Sequence, residues 1–353
     1  MKGDFVFAAP GDLDTPTGGF AYDKRMIAEL RALGWRPEYL NLGDGFPHPD
    51  ALTRAAAVAH LLDVPKGRPI VVDGLAFGVL PDAAEKLRTT HPLIALVHHP
   101  LALETGATQE QAAQLRASER AALSHARNVI ANSALTARTL TADYAVPQER
   151  ITIAPPGTDR PSVMRRNSAA ASAPVALLTV GSIVRRKGYD VLTQALATLI
   201  DLPWRLTIVG DCSRDPACTA RLRSDIAEFR LGPRLTIEDA APQDRLVALY
   251  QASDLFVLPS HYEGFGMAYA EAIAYGLPVV GTTGGAIPDT VPASAGVLVP
   301  PGDAAALAAA LRRLLESPAE RERLAAGAQA AAQQLPTWRD SAELFARAIE
   351  GAP

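Results

Sequence analysis

Short runs of β-branched and apolar residues recur along this chain, each followed by a longer Ala- and Leu-rich segment whose apolar residues fall at helical spacing. Alternation of that kind predicts repeated βα units built around parallel sheets. In the first half the strands are expected at 5–9, 39–42, 70–73, 93–98, 129–132 and 151–154, and in the second at 175–180, 206–209, 235–237, 255–258, 279–280 and 297–299. Between the two series runs Arg165-Arg166-Asn167-Ser168-Ala169-Ala170-Ala171-Ser172-Ala173-Pro174, a low-complexity stretch of small residues suited to a linker. At 353 residues the chain exceeds the roughly 100–200 that one core usually takes. The expectation is an α/β protein of two Rossmann-like domains, 1–166 and 175–334, joined by a linker at 167–174. A terminal segment, 335–353, carries a helical stripe at 342, 345, 346 and 349.

Composition removes several functions. Hydrophobic residues make up 48% of the chain and charged residues 20%, the balance of a globular protein with ample apolar surface to bury. A formal net charge of −4 argues against a dedicated nucleic-acid binder, which needs clustered Lys and Arg to neutralise phosphates. Cys212 and Cys218 have no further Cys or His pair at zinc spacing, and are expected as reduced thiols of a cytoplasmic protein. Met1-Lys2-Gly3-Asp4 and the short apolar run behind it lack the apolar core of a secretory signal, and no stretch approaches the ~20 apolar residues of a membrane span. Peripheral contact with a cytoplasmic membrane face stays open.

The most informative string is Leu258-Pro259-Ser260-His261-Tyr262-Glu263-Gly264-Phe265-Gly266-Met267-Ala268-Tyr269-Ala270-Glu271. It follows an apolar strand and opens an amphipathic segment, so it occupies the carboxyl end of a parallel strand, where open α/β sheets bind ligands. A helix starting near Gly266 points the backbone N–H groups of Phe265, Gly266 and Met267 at one spot and turns its positive dipole end toward it, which attracts a phosphate. Glu263 precedes that spot and Glu271 lies a little over one helical turn beyond Gly266. Carboxylates flanking a diphosphate must turn toward hydrogen-bond donors, and sugar hydroxyls are such donors. The plain alternative is that Glu263 caps the helix and Glu271 pairs on the surface.

With those residues in place, Glu263 and Glu271 resemble the Glu-x7-Glu pattern of retaining glycosyltransferases of family 4, and the similarity extends over nearly the whole chain. That resemblance implies the GT-B fold: two facing Rossmann-like domains with parallel sheets and a cleft between them, the terminal segment from Trp338 crossing back onto the first domain. It also implies roles. Glu263 contacts hydroxyls of the donor sugar, Glu271 the nucleotide ribose, and the backbone of Gly264, Phe265, Gly266 and Met267 the diphosphate.

Val180-Gly181-Ser182-Ile183-Val184-Arg185-Arg186-Lys187-Gly188 is similar to the family's Gly-Arg-x4-Lys-Gly motif, whose cations neutralise the departing nucleoside diphosphate. Lys187 matches the lysine. Ser182 stands where the arginine is usual, leaving Arg185 or Arg186 as replacements, or a hydroxyl contact from Ser182 itself. In Pro16-Thr17-Gly18-Gly19-Phe20 the two glycines permit close backbone approach, and Gly19 is the expected phosphate-side contact. His98 ends a strand at the edge where the family carries a histidine near the donor sugar, with His99 a weaker candidate. Gly210 in Val209-Gly210-Asp211 and Ala241 in Ala240-Ala241-Pro242 complete the donor pocket by the same resemblance. Gly284-Gly285-Ala286-Ile287-Pro288-Asp289 is similar to the family's Gly-Gly-x-x-Glu segment with Asp289 in the acidic place. Asp12-Leu13-Asp14 matches a metal-binding Asp-x-Asp only superficially, lying in the loop after the first strand, and is expected to be ordinary loop carboxylates.

The expectation is therefore a retaining, metal-independent hexosyltransferase with no cofactor. His98, Lys187 and Glu263 are its catalytic residues, a UDP- or GDP-sugar its donor, and a glycan, lipid-linked or small-molecule hydroxyl its acceptor. A GT-B sugar-nucleotide epimerase and a catalytically silent carbohydrate-binding protein are the competing classes.

Overall fold

The computed structural model describes residues 3–15, 17–103, 108–161 and 174–351. In the first half, β1 (Asp4–Ala9), β2 (Arg36–Asn41), β3 (Ile70–Asp73), β4 (Leu93–Val97), β5 (Asn128–Ala131) and β6 (Ile151–Ile153) make a six-stranded parallel sheet in the order β2-β1-β3-β4-β5-β6. Its helices are α1 (Gly18–Ala32), α2 (Ala51–Leu62), α3 (Gly74–Phe77), α4 (Pro81–Leu87), α5 (Gln109–Ser124) and α6 (Ala134–Tyr144). In the second half, β7 (Val175–Val180), β8 (Trp204–Val209), β9 (Leu235–Glu238), β10 (Leu255–Val257), β11 (Val279–Thr282) and β12 (Gly296–Val299) pair in the order β12-β11-β10-β7-β8-β9. Around it lie α7 (Tyr189–Ala197), α8 (Pro216–Glu228), α9 (Gln243–Ala252), α10 (Met267–Ala274), α11 (Ile287–Thr290), α12 (Ala304–Glu316) and α13 (Pro318–Ala332), and α14 (Trp338–Glu350) ends the chain.

All the expected strands exist, with small shifts at their ends. β2 starts at Arg36 rather than 39, because exposed Arg36 and Glu38 alternate with buried Pro37 on an edge strand and hide its start from an apolar count. Central strands are covered on both faces, so β4 is apolar and buried at every position. The two strand orders differ. The second sheet has the dinucleotide-fold order and the first the flavodoxin-like order, and each has a point where successive connections leave in opposite directions: between β1 and β3 in the first, between β7 and β10 in the second.

The chain divides into two compact units, Met1–Gly157 with Pro336–Pro353, and Thr158–Leu335. The first domain was expected to run to 166, but the change falls at Gly157 because a Cβ there would lie 2.2 Å from the Trp338 backbone N, so this backbone is packed onto the start of α14. Three residues on, Arg160 already bonds the carbonyl of Gln333 in the second unit. Residues 167–173 of the expected linker lie outside the described residues. α14 belongs to the first unit: a capping box between Thr337 and Asp340 starts it, and Phe345 stacks on Phe7 of β1 with centroids 6.1 Å apart. No described helix is long and apolar enough to cross a membrane.

Candidate functional site

In the second unit, the loops after β7 and β10 meet at the sheet's switch point. Gly188 has a left-handed φ of 69° and caps α7, and a Cβ there would fall 2.2 Å from the Pro259 carbonyl O, so only glycine lets these two loops touch. The contact sets Lys187 beside Glu263. Lys187 Nζ donates to Glu263 Oε1 at 2.7 Å, Arg186 Nη1 donates to Glu263 Oε2 at 2.7 Å, and Ser260 Oγ donates to Oε1 at 2.7 Å. Arg186 Nη1 also donates to the Tyr262 carbonyl at 2.6 Å, which fixes the guanidinium to this loop. Burial pushes the Glu263 carboxyl up, but Lys187, Arg186 and the Ser260 hydroxyl outweigh it and hold it down at about 2. Lys187 is drawn below its ordinary value by burial and by repulsion from Arg186, against the pull of Glu263.

Behind Glu263 the chain turns directly into α10. Gly266 caps that helix with φ 95°, and the N–H groups at its start have no intrahelical acceptor. Thr290 Oγ1 donates to the Phe265 carbonyl at 2.6 Å, and Ala286 N to the Glu263 carbonyl at 2.8 Å, so the Gly284–Ala286 segment braces the loop from behind. Glu271 projects from the second turn of α10, where it accepts a 2.9 Å hydrogen bond from the Tyr250 hydroxyl of α9, and burial raises its carboxyl.

Several expectations are refined by this geometry. Glu263 does not face open space with both oxygens: cations and a serine hold it. Of the two replacement arginines, Arg186 joins the carboxylate and Arg185 is exposed. Ser182 is half-buried, and Gly210 packs against its loop, where a Cβ would lie 1.9 Å from the Gly181 carbonyl O. Ala241 packs with Leu249 and Tyr250 ahead of α9, and Asp289 is exposed on α11. Cys212 and Cys218 are free thiols.

In the first unit a second cluster forms at the switch point of its own sheet. His98 follows β4, and its Nε2 lies 3.1 Å from Asp23 Oδ1 of α1 and 3.3 Å from Asp73 Oδ2 at the end of β3. Asp23 and Asp73 are buried, and the Tyr22 ring meets the imidazole edge-on at 5.2 Å. Burial pulls the imidazole down, yet the two carboxylates overcome it and its value is pushed up to about 10. Burial lifts Asp23 to about 6 against the opposing pull of His98. Gly19, the second residue of α1, lies against this ring, since a Cβ there would be 3.5 Å from His98 Cδ2. Pro16 lies outside the described residues. Asp12 accepts from the Asp14 N–H at 2.9 Å, and Asp14 pairs with Lys24.

Asp23, Asp73, Ser260 and Tyr250 were not named as site residues from the sequence. Asp73 carried a signal, since it ends a fully apolar strand at the carboxyl edge. Asp23 carried another: it sits among Tyr22, Met26, Ile27 and Leu30 on the buried face of α1, where a lone acid needs a partner.

Comparison with known proteins agrees with this architecture. Residues 70–160 match the model of Glycosyltransferase Family 4, and residues 163–331 that of Glycosyl transferases group 1. The chain is 34% identical over 230 residues to D-inositol 3-phosphate glycosyltransferase 1 of Catenulispora acidiphila, covering 60% of this chain and 54% of that protein. It is 36% identical over 219 residues to D-inositol 3-phosphate glycosyltransferase of Thermobispora bispora, covering 58% and 51%. The chain thus spans about half the length of these curated relatives. Among solved structures, sucrose-phosphate synthase from Thermosynechococcus elongatus superposes with a TM-score of 0.80 at 23% identity, covering 97% of each chain. Anabaena Alr3699/HepE, solved with UDP and glucose, gives 0.75 at 20% identity, covering 98% of this chain and 99% of that one. Likeness of that kind defines the fold class, the GT-B α/β architecture of two doubly wound units. Each half of the chain is similar to a glycosyltransferase family, the first to family 4 and the second to group 1.

Proposed function

We propose that this protein is a retaining glycosyltransferase that moves a hexosyl group from a nucleoside diphosphate sugar to an acceptor hydroxyl without a catalytic divalent metal. The observation that carries the proposal is Glu263 bracketed by Lys187 and Arg186 immediately ahead of the α10 N-terminus. Two cations against one carboxylate leave positive charge to spare, and helix N–H groups add more, which suits a diphosphate. When the diphosphate takes up part of the hydrogen bonding of Lys187 and Arg186, Glu263 regains acceptor capacity for hydroxyls of the donor sugar. Glu271, oriented by Tyr250, accepts from the ribose.

As the glycosidic bond breaks, negative charge grows on the leaving phosphate. Lys187 and Arg186 stabilise it there, the role a metal ion plays in other phosphate chemistry. Acceptor attack from the same face, with the leaving phosphate receiving the acceptor proton, retains the anomeric configuration. UDP-sugars are the first donors to test, given the UDP-bound Anabaena neighbour. The acceptor is a hydroxyl of a glycan, a lipid-linked sugar or a small polyol; the curated relatives are named for D-inositol 3-phosphate. The deciding experiment incubates the protein with candidate donors and acceptors in the presence of EDTA and assigns the product anomer by NMR. Retained configuration with activity intact in EDTA is expected, and an inverted product removes the mechanism.

A further inference from the structure

The first-unit cluster has a charge balance that limits what His98 can do. A neutral imidazole donating from Nε2 carries a lone pair on Nδ1 and can serve as a base there; an imidazolium is a donor at both nitrogens and a base at neither. Here both carboxylate contacts use Nε2, at 3.1 and 3.3 Å, so Asp23 Oδ1 and Asp73 Oδ2 converge on one ring nitrogen. Both carboxylates are essentially inaccessible, and Asp23 Oδ2 is buried without a hydrogen-bond partner. Two buried carboxylates against a neutral ring leave two negative charges unopposed, and a proton on each ring nitrogen offsets one of them.

We infer that Asp23 and Asp73 are positioning residues that hold His98 as an imidazolium with Nε2–H turned inward, so that it meets a substrate oxygen through Nδ1–H as a donor and a positive charge, never as a base. The part of this that concerns substrate rests on the transferase reading above. The neighbouring phenols bring no charge of their own: the Tyr22 ring of α1 stands at 82° to the imidazole, its hydroxyl donating to the Ala154 carbonyl at 2.9 Å. Tyr39 of β2 is neutral, its phenol pushed up to about 12 by burial and by the charges of Asp23, Asp12, Asp73 and Asp44. The shift of His98 to about 10 has the same direction. In the transfer reaction, a histidine so held stabilises charge on an oxygen and leaves the acceptor proton to the leaving phosphate.

The test reads the proton directly. In the full-length protein labelled with nitrogen-15, with His98→Gln used to assign the resonance, both ring nitrogens of His98 are expected to stay protonated from about pH 6 to about pH 9. Asp23→Asn and Asp73→Asn should each bring the titration down by about one unit or more toward the ordinary value. Each should also lower kcat increasingly as pH rises, with KM for the donor nucleotide little changed, because the nucleotide-binding residues proposed above lie in the other unit. A wild-type His98 that titrates near 6.5, its ordinary value, overturns the inference. So does a titration unmoved in both variants, or one that changes when EDTA strips metal from the wild-type protein. Because the titration needs no turnover, it stands or falls independently of whether the protein transfers a sugar.

Discussion

In the second unit a carboxylate, Glu263, is bracketed by Lys187 and Arg186; in the first an imidazole, His98, is bracketed by Asp23 and Asp73. Each cluster sits where its sheet reverses strand order, so the fold offers the same kind of crevice twice and the side chains decide its use. Surplus positive charge in one fits a diphosphate. Surplus negative charge in the other repels one and tunes a proton instead. The comparison teaches that two similar scaffolds have been given separate tasks by reversing which sign is in the majority.

The largest effect should come from the cation that the proposal places on the leaving group. Lys187→Ala is expected to lower kcat by about 100- to 1,000-fold, the usual consequence of losing one preorganised charge at a reacting oxygen, while KM for the donor changes less. Initial-rate kinetics over a donor series decide it. If the loss is confined to KM, Lys187 merely binds. Next in size is Glu263→Gln, which leaves the half-buried Lys187 and Arg186 without their anion and should cost about 3 kcal/mol of folding stability. Thermal melts should show part of the loss restored by UDP, since a dianion can stand in for the missing charge. A variant as stable as the parent would mean that the bracketed carboxylate is no structural keystone. Glu271→Ala should weaken nucleotide binding about 10- to 100-fold by calorimetry with a smaller effect on kcat, the cost of a hydrogen bond to a charged acceptor.

Acidity separates the two clusters by sign. Glu263 has its folded value depressed from 4.5 to about 2, so its stabilisation is present above 4.5 and is lost as pH falls toward 2. Asp23 is the reverse: its folded value is raised from 3.8 to about 6, so folding takes up a proton and stability rises as pH falls from above 6 toward 3.8. His98, raised from 6.5, adds stability that is full below 6.5 and fades as pH climbs through about 10. Denaturant midpoints followed from neutral to mildly acid pH should therefore gain through the first unit before they lose through the second. Buried Glu119 of α5, raised to about 8, and Glu271 of α10, also raised by burial, contribute gains of the same sign, so Asp23→Asn should shrink the gain without abolishing it, and a gain left unchanged by the substitution would remove Asp23 from the effect.

The sequence made the βα alternation, the approximate positions of the twelve described strands and the Glu263–Glu271 spacing legible, because each depends on local pattern. It left the missing arginine open between Arg185, Arg186 and a hydroxyl contact from Ser182, and of the two arginines it is Arg186 that pairs with Glu263. Partnerships over long separations were not legible. Asp23 and His98 are 75 positions apart, Lys187 and Glu263 76, and no periodicity links such residues. They meet only because parallel strands bring several carboxyl ends to one edge. The end of the first unit was hidden for a similar reason: Gly157 packs onto Trp338, far along the chain.

The smallest predicted effect tests Gly19 as the phosphate-side contact expected from the sequence. Gly19 is the second residue of α1, and a Cβ placed on it would touch the His98 ring at 3.5 Å, an ordinary contact rather than a clash. Alanine is better than glycine inside a helix, so Gly19→Ala should leave stability unchanged or raise it by about 0.5 kcal/mol. Its rate should nevertheless fall if backbone at Gly19 approaches a phosphate closely, because the added methyl occupies the space of that approach. Stability and kcat/KM measured on the same preparation separate the two uses of the glycine. A stabilised variant with undiminished kcat/KM would place the phosphate-recognising surface in the second unit alone, and would leave the first unit's cluster with its histidine as its contact to the reaction.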